Sequence, residues 1–158
     1  MTSLVLLTTL LGQGVFSGFS LKIDNHDREL FKKFLDLLPS NSRSIKFLGE
    51  HDLGDSFPRK DLDQLSYFVN YWDNAEHEFH NKLLEKKRTE LITLTKNFLH
   101  NLSRSVFSVR GGYLSMELRD MEDRLDKLET RDKLNEDATK IFNVHQQLIQ
   151  LGNRRLTR

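Results

Sequence analysis

The chain has no cysteine, which excludes disulfide frameworks, thiolate metal sites and cysteine nucleophiles. Neither charge is in excess: 24 Lys and Arg face 23 Asp and Glu. No global field therefore marks a binder of duplex nucleic acid, and any ligand charge has to be met locally. From Met1 to Leu21 charged side chains are missing altogether. Internal repeats, low-complexity linkers, a phosphate-binding P-loop and a Ser-His-Asp order are also lacking. With 158 residues, of which 37% are apolar and 30% charged, the composition fits one soluble domain with a thin core. Amphipathic helices build such a core economically.

Two regions follow: an apolar N-terminal segment, residues 1–21, and a helical domain, residues 22–158. The first is about one membrane span long, although Gly12, Gly14, Gly18 and several Ser and Thr dilute it. A membrane segment and a buried helix or strand are both open readings. The basic residues that follow at once, Lys22, Arg28, Lys32 and Lys33, would leave the body of a spanning protein in the cytoplasm.

Helical spacing predicts a helix from about Asn25 to Leu38, stopped by Pro39, and a short one from Ser44 to His51. Pro58 introduces a third, carrying Leu62, Leu65, Phe68, Val69 and Trp72 and broken by Asp73 and Asn74. The longest pattern, Phe79, Leu83, Leu84, Leu91, Leu94, Phe98, Leu99 and Leu102, predicts a central helix. Periodicity fails from Ser103 to Ser115, around Gly111 and Gly112, and predicts a loop. A final helical region bears Leu118 to Leu151, with a weak point in the charged run Glu129 to Asp137 and Gly152 and Asn153 as terminators. The expected fold is an all-α bundle of about five helices.

Leu38-Pro39-Ser40, Ile45-Lys46-Phe47-Leu48, His51-Asp52, Phe57 and above all Trp72-Asp73-Asn74-Ala75-Glu76-His77-Glu78-Phe79 carry a resemblance. Over about Lys22 to Leu156 the chain resembles a family of uncharacterised bacterial helical domains that often follow membrane segments. The resemblance implies fold and membrane association, and it brings no catalytic residues. In kind, such proteins are also similar to membrane effectors of type III CRISPR defence that sense cyclic oligoadenylate.

Two constellations carry candidate chemistry. Arg104, Arg110, Gly111, Gly112 and Tyr113 combine guanidinium groups that bind phosphate, glycines that let amides turn toward an anion, and a ring on which a base can stack. The alternative is a plain interhelical loop with solvated arginines. Glu76, His77 and His80 form the metal-like cluster, with the histidines three apart rather than the four of zinc peptidases. Its alternative is a capping acid beside a histidine packed on Trp72. Lys86, Lys87 and Arg88, with Arg154, Arg155 and Arg158, make either a basic surface or solvated helix faces paired with Glu85 and Glu90.

These readings favour a non-enzymatic bacterial regulatory or effector protein. It would be a homo-oligomer at the inner membrane with a cytoplasmic helical domain, or else cytoplasmic, and would need no cofactor. Its ligand would be a cyclic or linear oligonucleotide. The rivals are a metal-dependent hydrolase using Glu76, His77 and His80, and a structural helical adaptor.

Overall fold

The computed structural model describes residues 25–116 and 124–157, so the apolar stretch 1–21 lies outside the described residues. In chain order the elements are α1 (residues 25–37), α2 (Arg43–Glu50), β1 (Phe57–Pro58), α3 (Asp63–Tyr71), α4 (Lys82–Ser105), β2 (Phe107–Val109), β3 (Tyr113–Ser115) and α5 (Arg124–Leu156). Short 3-10 turns at Arg59–Leu62 and Ala75–His77 flank α3. The architecture is the expected all-α bundle, with a three-stranded sheet as a minor addition.

Local chemistry sets the helix starts. The Ser42 hydroxyl accepts the Ile45 N–H at the head of α2, and the Asn81 side chain accepts the Leu83 and Leu84 N–H groups at the head of α4. Each satisfies donors that the first helical turn leaves without partners. Asn74 does the same for the Ala75–His77 turn, which explains why Asp73 and Asn74 interrupt the helical run.

The core is organised around α4 and α5. Leu84, Arg88, Leu91, Thr95, Phe98 and Leu102 are buried on α4, and Leu134, Ala138, Ile141, His145, Leu148 and Gly152 on α5. Both sets alternate steps of four and three, the seam of a coiled-coil pair. The helices run antiparallel: Lys87 near the start of α4 bonds Gln147 at 2.9 Å, while Arg104 near its end shares a recess with Lys133. Phe31 and Phe34 of α1, Leu38 just after it, Ile45 and Leu48 of α2 and Phe68 of α3 close over this pair. Each such buried side chain contributes about 1.5–3 kcal/mol.

Three local expectations are corrected. α5 runs unbroken through the charged stretch Glu129 to Asp137, where Lys140 pairs with Glu136 and Asp137. Gly152 is no terminator either, for the helix continues to Leu156. A Cβ at Gly152 would stand 2.3 Å from the Phe31 ring, so α1 and α5 approach closely at this glycine. Lastly, Ser103 to Ser115 is not a loop: α4 extends to Ser105 and β2 and β3 then form a hairpin. β3 lies between β1 and β2 in an antiparallel sheet, with Phe57 opposite Leu114, Pro58 opposite Tyr113 and Val109 opposite Tyr113.

Among the described residues no helix is long and apolar enough to cross a membrane.

Candidate functional site

The hairpin turn is built from Arg110, Gly111 and Gly112. Both glycines have positive φ, 84° and 78°, a region in which a side chain is strained. The turn is tied to the far side of the sheet, where the Arg59 N–H donates to the Gly112 carbonyl at 3.0 Å. The Arg59 guanidinium reaches across to β2 and donates through Nη2 to Ser108 Oγ at 2.9 Å. Gly111, Gly112 and Tyr113 thereby share a recess of about 390 Å³ with Pro58, Arg59, Lys60 and Asp63. Tyr113 is 44% exposed.

Of the five residues singled out in the sequence for anion binding, the fold brings three together in this recess. Arg104 lines a different one, of about 240 Å³, with Asn101, Lys133 and Asp137 between the end of α4 and the start of α5. Arg110 is exposed at the turn and lines neither. Arg59 and Lys60 take the places of these arginines, and only the pairing of β1 with β3 brings them there.

The fold also divides the metal-like cluster Glu76, His77 and His80. His77 lies on Trp72, with ring centroids 4.6 Å apart, and its Nδ1 is 2.9 Å from the Asn74 side-chain oxygen. Burial lowers its pKa, while the nearby Glu76 charge opposes that shift. Glu76 is exposed. His80 turns the other way and stacks on His26 at 4.2 Å. Beside them the buried Asp27 carboxylate accepts the His80 and Asn81 N–H groups at 2.7 and 2.8 Å. Among the described residues the donors that converge are those of His26, Asp27 and His80, whose ligand atoms lie within 4.8 Å of one another.

The run Lys86, Lys87 and Arg88 forms no common basic surface. Lys86 is exposed, and Lys87 pairs with Glu90 at 2.8 Å. Arg88 is 3% exposed and donates to the Trp72 carbonyl and to Glu85, the latter at 2.6 and 2.9 Å. Glu85 in turn accepts the Phe79 N–H at 2.9 Å. Burial pushes the Glu85 carboxyl up, but the Arg88 and Phe79 hydrogen bonds and the Arg88 charge together hold it below its ordinary value. Arg88 and Glu85 thus fasten the 72–79 connection to α4, a structural use of the basic run.

Compared with protein-family models, curated proteins and solved structures, the chain gives no match in any of the three.

Proposed function

We propose that this chain is a non-enzymatic ligand-responsive module of a membrane-associated bacterial regulatory or effector protein, and that its ligand is an anionic nucleotide held at the hairpin turn. The observation that carries the reading is the recess in which Arg59, Lys60, Gly111, Gly112 and Tyr113 converge. The Arg59 and Lys60 cations suit a phosphate, and Tyr113 suits a base. Asp63 in the same recess disfavours a bare polyanion but offers an acceptor to a ribose hydroxyl or a base amino group. That combination favours a nucleotide over inorganic phosphate. A ligand here would bridge the turn before α3 to the hairpin after α4, and it can shift the packing of those helices only by its difference in affinity for the two arrangements. Membrane association rests on the uncharged segment 1–21 and the resemblance, as does the oligomeric state of such effectors; the defence role rests on the resemblance.

The test is calorimetric titration of the full chain with cyclic and linear oligoadenylates and with inorganic phosphate, at two salt concentrations. Arg59→Ala should abolish binding, and Tyr113→Ala should cost about 1–3 kcal/mol while Tyr113→Phe keeps most of it. Arg104→Ala should have no effect, because Arg104 lines the other recess. If neither oligonucleotide binds, or if binding ignores Arg59 and Tyr113, the recess is not a nucleotide site. The adaptor reading would then lead, with the exposed Tyr67 and Tyr71 rings of α3, 4.5 Å apart, as its surface.

A further inference from the structure

The geometry points to a second site: we infer that His26, Asp27 and His80 bind one divalent transition-metal ion of the zinc type, joining the first turn of α1 to the start of α4. One ligand atom from each residue lies within 4.8 Å of the other two. Two imidazoles and a carboxylate are a ligand set that zinc accepts with water in the fourth position. The softer thiolate alternatives are absent from the chain.

Two features make the cluster more than a chance meeting. His26 Nε2 donates to the Glu78 carbonyl at 3.0 Å. That bond engages Nε2 and leaves Nδ1 as the nitrogen for a metal, and it is the kind of outer contact that orients histidine ligands of metals. Asp27 is 1% exposed and held by two backbone N–H groups, one on each oxygen. A carboxylate so held cannot swing away, yet each oxygen keeps a lone pair for a cation.

Bond lengths set what must move. An ion with bonds of about 2.0–2.2 Å holds tetrahedral donors about 3.3–3.6 Å apart, so a trio lying within 4.8 Å closes by at most about 1.5 Å when it binds. The movement falls to the imidazoles at the surface, His80 exposed and His26 half-buried, which turn out of their stack while Asp27 stays fixed. The ligands come from positions 53 and 54 residues apart, so the ion ties two elements that the chain itself does not join directly.

The experiment is isothermal titration of the full chain, freed of any affinity tag, with zinc chloride, together with thermal melts in zinc and in chelator. One zinc per chain and a higher melting temperature in zinc are expected. His26→Gln and His80→Gln should each weaken binding by more than about tenfold, the least that even outer-shell partners contribute. Both should leave the melt in chelator near wild type, because neither ring belongs to the core. His77→Gln should bind zinc like the wild type. Absence of zinc binding to the wild type, or binding that survives both His26→Gln and His80→Gln, would overturn the assignment. Binding lost in His77→Gln but kept in His26→Gln would do so as well, by returning the ion to the 76–80 cluster.

Discussion

His145 is fully buried on α5 with both ring nitrogens engaged: Nε2 donates to the Leu38 carbonyl at 2.7 Å and Nδ1 accepts from the Gln146 side chain at 3.0 Å. Those partners suit the neutral ring. Burial lowers its pKa, only partly opposed by the Leu38 carbonyl. The folded protein therefore binds fewer protons than the unfolded chain once the pH drops below the ordinary value of 6.5. The contribution of this histidine is intact above that pH and is lost as the pH falls toward the lowered folded value. His77, also lowered by burial, adds with the same sign. Melting temperatures should fall between about pH 7 and pH 5.5, less steeply in His145→Gln; parallel curves for the two proteins would rule out this origin. Trp72 offers a second test. It is 4% exposed, meets Phe34, Phe68 and His77 by ring contacts, and lends its carbonyl to Arg88. Trp72→Ala should cost about 3–5 kcal/mol in denaturant unfolding, and a cost under about 1 kcal/mol would contradict a packing role.

At the scale of elements, the tight crossing of α1 and α5 yields the next expectation. Gly152→Ala puts a methyl group into the Phe31 ring. Such overpacking should destabilise by about 1–3 kcal/mol, and Phe31→Leu in the same chain should recover part of it. A stabilising Gly152→Ala, the ordinary result in a helix interior, would refute the close approach. Sequence periodicity revealed the helices because their apolar residues recur over many turns. It also held the fate of Arg88, which falls on the stripe between Leu84 and Leu91 and so faces inward despite its place in a basic run. The hairpin escaped because three-residue strands are too short for a period of two to stand out. Yet Gly111 and Gly112 between Val109 and Tyr113 were its signal. Gly152 misled because glycine marks both helix ends and close helix contacts, and only the partner ring distinguishes them.

For the whole molecule, what local pattern could not supply was pairing at a distance. Gly111, Gly112 and Tyr113 were visible as a candidate site, but Arg59 and Lys60 reach them only through β1 pairing with β3. His80 was visible as a candidate ligand, but its companions His26 and Asp27 lie on α1. The antiparallel α4–α5 seam has a bearing on how the molecule assembles in time. Its contacts span about 30 residues at the end near Arg104 and Leu134 and 60 at Lys87 and Gln147, whereas Arg28 must find the Leu156 carbonyl across 128. Loop closure is least costly next to the hairpin, so the seam should zip from there, and α1 should dock last. In stopped-flow chevrons, Leu102→Ala should chiefly slow folding and Phe31→Ala chiefly speed unfolding. The reverse assignment would place the nucleus at the α1 end. On this order α1 is also the first element to be released, which sets the lifetime of the native state by the contacts of Phe31 and Arg28 rather than by the longer seam.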